Sequence, residues 1–124
     1  MNFVNPQIQT YATNLSSQEP QLLSQLSAHT QKMTDYPRML SGPLVGRFLK
    51  LLAQTLCATN ILEIGTFTGY GSLSLAEGLQ EGGRLKTLEQ NNQYADIAQS
   101  FFDQSPYGEK IEIIRGSAYE NLNN

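Results

Sequence analysis

Two carboxylates and a run of glycines are the residues of this chain best placed to do chemistry. Glu63 lies in Ile61-Leu62-Glu63-Ile64-Gly65-Thr66-Phe67-Thr68-Gly69-Tyr70-Gly71-Ser72, an apolar stretch that runs into a glycine-rich turn. Glu89 closes a second apolar stretch 24 positions after Gly65 (89 − 65). A carboxylate can accept from both vicinal hydroxyls of a ribose, and an acid about 20 residues behind a glycine turn has the spacing of a ribose-binding residue. Glu63 is tolerated inside an apolar strand only if it is hydrogen-bonded or paired. It would hold a ligand's ammonium group, directly or through water, or cap the backbone of the turn. Gly65 lets the chain turn where a side chain would collide with a ligand, and Gly69 allows a second close approach or a positive φ.

The spacing Gly65-x3-Gly69-x-Gly71 is not the G-x-G-x-x-G of a dinucleotide site. Gly69-Tyr70-Gly71-Ser72-Leu73-Ser74 imitates its first half and lacks the last glycine. An acid ahead of the turn and another closing the next strand suit S-adenosylmethionine better, because that molecule has no pyrophosphate to cradle. Gly116-Ser117-Ala118 follows a third apolar stretch, and its small residues leave room for an adenine. The competing readings are a tight turn with no ligand, half of a dinucleotide-dependent oxidoreductase, and a non-catalytic binding module.

These residues need strands to carry them and helices to cover the strands. Asn5-Pro6 and Glu19-Pro20 open two helices, the second with Leu22, Leu23 and Leu26 on one face. Asp35-Tyr36-Pro37-Arg38 breaks the pattern, and Ser41-Gly42-Pro43 opens a third helix with Leu44, Phe48, Leu51, Leu52 and Leu56 at helical spacing. Strands are expected at 61–66, 84–89 and 111–115, with helices from Tyr70 to about Gln80 and from an Asn91 or Asn92 cap to Phe102. Alternation of this kind gives βαβ units and a parallel sheet, whose ligands sit at the carboxyl ends of the strands. The expected division is one partial domain, 1–124, with N-terminal helices over 1–58 and a βαβαβ core over 59–124.

Composition narrows the function classes. The 124 residues carry a net charge of −3 with a pI near 5.0, and no basic stripe that would bind nucleic acid is present. Cys57 is the only cysteine, so a disulfide framework and a cysteine zinc site are excluded. Following Leu56 at the end of a helical run, it is expected to be a buried structural thiol. Met1 to Thr13 lacks the basic start and apolar core of a signal peptide, and no apolar run reaches membrane-spanning length. A cytoplasmic protein without a membrane anchor is expected.

From about Tyr36 to Leu122 the chain resembles the class I S-adenosylmethionine-dependent O-methyltransferases of the caffeoyl-CoA and catechol type. The resemblance rests on Met39-Leu40-Ser41-Gly42-Pro43-Leu44-Val45-Gly46-Arg47, on Leu62 to Tyr70, and on Gly116-Ser117-Ala118, in that order. It implies an α/β Rossmann-like methyltransferase fold. It also implies that Ser41 lies beside the cofactor's methionine part and that Glu63, Gly65 and Thr66 line its methionine and ribose side. Phe67 would flank the cofactor, Glu89 take the ribose hydroxyls, and Ser117 and Ala118 approach the adenine. The family commonly places Ser directly after Gly-Tyr; here that position is Gly71, whose N–H, or Ser72 one residue later, would have to serve the cofactor's carboxylate.

The resemblance further implies a small-molecule acceptor, a divalent cation and a homodimer for the complete protein. The family's cation ligands and catalytic residues come after the third strand, so none is expected in this chain, and the 124 residues alone are expected to bind the cofactor without transferring its methyl group. Asp35, Asp96 and Asp103 are isolated, and His29 sits on a polar helix stretch.

Overall fold

The computed structural model describes residues 3–124; Met1 and Asn2, the start of the segment read as lacking a leader, lie outside the described residues. Three helices come first: α1 (Pro6–Leu15), α2 (Gln21–Met33) and α3 (Gly42–Thr55). Asn5 caps α1 through its side chain, which accepts from Gln7 N–H at 2.9 Å, with Pro6 at the first helical position. α2 buries Leu23, Leu26 and Thr30, one face at helical spacing.

α3 departs from expectation. The apolar stripe Phe48, Leu51, Leu52 and Leu56 faces outward, at 60%, 58%, 42% and 68% exposure, while Gly46, Arg47 and Ala53 are buried. The reason is close approach to α4 (Tyr70–Gly78). A Cβ on Gly46 would stand 2.7 Å from Ser74 Oγ, and one on Gly78 would stand 2.5 Å from the Lys50 carbonyl oxygen. Only the face with small residues lets the two helices come so near, so the leucines are left on the far side. Arg47 crosses the same interface, donating to both oxygens of Glu77 at 3.3 and 2.8 Å, and Lys50 joins at 2.9 Å. Burial would raise the Glu77 carboxyl, but the two cations outweigh it and hold it below the usual carboxylate range.

The sheet has three parallel strands in the order β1 (Asn60–Ile64), β2 (Arg84–Glu89) and β3 (Ile111–Arg115). β1 ends two residues earlier than the sequence suggests because Gly65 turns off at φ +91°. Alternation sends Leu85 and Ile111 into the core with Tyr70, Leu73, Ala98 and Phe102 of the helices, and Ile61 and Ile113 pack against that cluster. The opposite face of β1 is open, with Leu62 53% and Ile64 64% exposed. α5 (Asn92–Phe102) is capped by Asn91, whose side chain accepts from Gln93 and Tyr94 N–H at 2.9 and 3.2 Å. α6 (Ala118–Leu122) follows β3 directly.

Cys57 is exposed, contrary to the expectation of a buried thiol. It occupies the left-handed position after α3, at φ 49°, and Ala58 N–H bonds back to the Ala53 carbonyl at 3.0 Å. That helix-terminating geometry usually takes glycine and turns the side chain toward water.

Candidate functional site

The carboxyl ends of β1 and β2 form a shelf built around the turn 65–69. Gly65 and Thr66 N–H both donate to the Leu88 carbonyl, at 2.9 and 3.1 Å, drawing the turn across the end of β2. Gly69 N–H closes it on the Thr66 carbonyl at 3.0 Å. A Cβ on Gly65 would meet nothing within 4 Å, so the space before that residue is open. Phe67 adopts φ 52°, a conformation uncommon in non-glycine residues and frequent at ligand sites. Its ring meets Tyr94 edge-on at 4.8 Å between centroids.

Glu89 holds Phe67 in that position. Its Oε2 accepts from Phe67 N–H at 2.8 Å and its Oε1 accepts from Asn91 N–H at 2.9 Å. The side chain is 8% exposed. Each oxygen keeps a further lone pair, so two protein donors leave acceptor capacity for two hydroxyls. Gly116 N–H donates to the Glu89 carbonyl at 2.9 Å, which brings the turn of Ser117 and Ala118 beside it. Ser117 precedes α6 without using its hydroxyl as a cap.

Glu63 is the second carboxylate. Its Oε1 accepts from Ser72 Oγ and from Thr87 Oγ1, the latter at 2.6 Å, and Thr87 Oγ1 is 2.7 Å from Thr66 Oγ1. The parallel register sets Glu63 opposite Thr87, which creates this pair. A Cβ on Gly71 would stand 2.8 Å from Glu63 Oε2 and 3.5 Å from Ser41 Oγ. A side chain at position 71 would push the Glu63 carboxylate, the end of a flexible side chain, out of its present place, and glycine leaves it there. Ser72 is fully buried and its hydroxyl is engaged by Glu63, so it offers no side-chain contact to the shelf. Ser41, exposed at the start of α3, makes no capping bond and leaves its hydroxyl free.

Burial raises the Glu63 carboxyl above its ordinary range, and the hydroxyls of Ser72 and Thr87 oppose that only in part. A raised carboxyl favours folding below its unfolded pKa, and that contribution is lost as pH rises through its folded value. Once ionised, Glu63 therefore contributes less to stability than its protonated form does. Glu63→Gln keeps an oxygen for both donors and is expected to raise the urea midpoint at pH 7. The advantage should shrink as the pH falls toward the ordinary carboxyl range. A variant less stable than the parent at pH 7 would contradict this reading.

The cleft lined by Ser41, Glu63, Gly65, Phe67, Tyr70 and Gly71 encloses only about 50 Å³. Larger cavities of about 560 and 680 Å³ lie between residues 13–24 and α3, away from both carboxylates. The chemistry favours the small cleft, because Glu63 and the glycine turn line it. Its shallowness follows from β1 being the edge of the sheet, with a wall on one side only. Sequence reasoning missed Thr87 and Tyr94: Thr87 is a polar residue at an inward strand position, and Tyr94 an aromatic in the first turn of α5. His29 is exposed beside Phe101, at 5.6 Å between rings, away from the shelf. Among the described residues, no three His, Cys, Asp or Glu side chains come together in a metal-holding group. No described helix is long and apolar enough to cross a membrane.

A parallel βαβαβ sheet with acids at two adjacent strand ends and a glycine turn between them defines a Rossmann-like cofactor-binding unit. The model of the O-methyltransferase family matches residues 13–124, and the chain belongs to that family. It is 40% identical over 86 residues to a catechol O-methyltransferase of Niastella koreensis, covering 69% of this chain and 39% of that one. It is 31% identical over 110 residues to a catechol O-methyltransferase of Mycobacterium tuberculosis, covering 89% and 49%. The crystal structure of an O-methyltransferase from Bacillus cereus in complex with S-adenosylhomocysteine superposes with a TM-score of 0.86 at 33% identity, over 94% of this chain and 53% of that one. The chain thus spans about half or less of the length of these relatives.

Proposed function

We propose that this chain is the cofactor-binding half of an S-adenosylmethionine-dependent O-methyltransferase that methylates a hydroxyl of a small aromatic, catechol- or caffeoyl-like acceptor. The observation that carries the reading is the pair Glu63 and Glu89, on neighbouring strands, flanking the open space before Gly65. Glu89 accepts from the ribose hydroxyls. Glu63 Oε2, with Ser41 beside it, takes the ammonium group, and the Gly71 N–H faces the carboxylate. Gly65, Thr66 and Phe67 line the middle of the molecule, and Ser117 and Ala118 border the adenine. Ser72 acts through Glu63.

The cofactor supplies the reactive methyl on a sulfonium, so the protein's task is binding, orientation and exclusion of water. The divalent cation that the resemblance implies has no fitting donor set among the described residues. The complete protein is proposed to act as a homodimer in the cytoplasm. Calorimetry on the 124-residue chain tests the cofactor: S-adenosylhomocysteine should bind and NAD should not. Binding of NAD alone would favour the oxidoreductase reading, and binding of neither would remove the cofactor assignment.

A further inference from the structure

We infer that Glu19 and Thr30, neither of which lines the cofactor cleft, are positioning residues that tether its turn from behind at Thr68 and Tyr70. The inference rests on the proposed cofactor shelf and adds to it two residues from the N-terminal helices. The Tyr70 hydroxyl donates to the carboxylate of Glu19, in the link between α1 and α2. Tyr70 is 1% exposed. Burial, and then the hydrogen bond and charge of Glu19, push its phenol well above the ordinary range against the pull of Arg47, so it remains a proton donor.

The second tether lies two residues earlier. Thr30 Oγ1 and Thr68 Oγ1 are 2.8 Å apart and both side chains are buried. Thr30 gives its one proton to the Leu26 carbonyl at 2.8 Å, so Thr68 is the donor between the two threonines. Both tethers come from one side, 38 and 51 residues away in sequence.

Between the tethered residues is Gly69, at φ +96°, which precedes α4 without a side-chain cap. A glycine turn has the most conformational freedom to lose, and this one carries Phe67 and Gly71 on either side of the cleft. Phe102 closes a third direction, since a Cβ on Gly69 would lie 2.6 Å from its ring. With the tethers in place, the turn and the first amides of α4 have one position relative to Glu63. Without them, the turn must be ordered when the ligand arrives, which weakens binding.

The experiment uses Glu19→Ala, which removes the acceptor, Tyr70→Phe, their combination, and Thr30→Val in the 124-residue chain. Amide hydrogen exchange is measured without ligand, and S-adenosylhomocysteine affinity by calorimetry. Glu19→Ala and Thr30→Val should speed exchange of the hydrogen-bonded Gly69 and Leu73 amides while the amides of β2 hold, as expected for a local opening. Affinity should fall about 5- to 10-fold for each, on the scale of one hydrogen bond. The Glu19 and Tyr70 double variant should lose no more than either single. Unchanged affinity and turn exchange would overturn the inference, as would faster exchange spread evenly through β2 and α5. If the parent chain fails to bind, the proposed function falls and the exchange pattern still judges the tethers. Should Thr30→Val not fold, the partly exposed Glu19 decides.

Discussion

Glu89→Ala is expected to weaken S-adenosylhomocysteine binding by about 10- to 150-fold. The range corresponds to roughly 1.5–3 kcal/mol, the scale of hydrogen bonds to a charged group. Two losses contribute. The ribose hydroxyls lose their acceptor, and Phe67 N–H and Asn91 N–H lose the carboxylate that holds them at 2.8 and 2.9 Å. The second loss releases Phe67 from its left-handed conformation, so the free protein should also melt earlier. Calorimetry well below the melting range isolates the binding term. Affinity within twofold of the parent would remove Glu89 from the site.

Gly78→Ala sets two effects against each other. Alanine in place of glycine in a helix favours folding by about 0.5–1 kcal/mol. Its methyl group would stand 2.5 Å from the Lys50 carbonyl oxygen and 2.8 Å from Ala53 Cβ. Neither neighbour is the end of a flexible side chain, so α3 must shift as a whole, and overpacking of this kind costs about 1–3 kcal/mol. Displacing α3 also stretches the Arg47–Glu77 pair, whose charges are costly to leave buried apart. Packing should win, with a net loss of about 1–2 kcal/mol in urea unfolding. A higher midpoint would mean that α3 and α4 lie further apart than described.

Much of this architecture was legible because the strands and α5 advertise themselves locally. Alternation in 84–89, the Asn91 cap and the glycines after Ile64 each fix one feature without help from distant residues. The two carboxylates could be named for the same reason: an acid at a strand end is visible one residue at a time. What stayed hidden depends on packing across elements. Nothing in the spacing of Phe48, Leu51, Leu52 and Leu56 says that Gly46 and Gly78 will claim the interface. Ser72 looked available until the register placed Thr87 opposite Glu63 and drew both hydroxyls onto one oxygen. Cys57 follows an apolar run, but a left-handed helix end turned it outward.

The strand order β1-β2-β3 repeats the order of synthesis. Each new strand pairs with the one made just before it, while α4 packs against β2, the strand that follows it. The turn 65–69 is held by Leu88 and Glu89, so it settles only when β2 is made. The part of the cofactor shelf built from β1 and β2 can therefore form once β2 is in place, because short sequence separations close quickly. The open face of β1, with Leu62 and Ile64 exposed, leaves apolar surface uncovered on a unit that has already formed its ligand shelf.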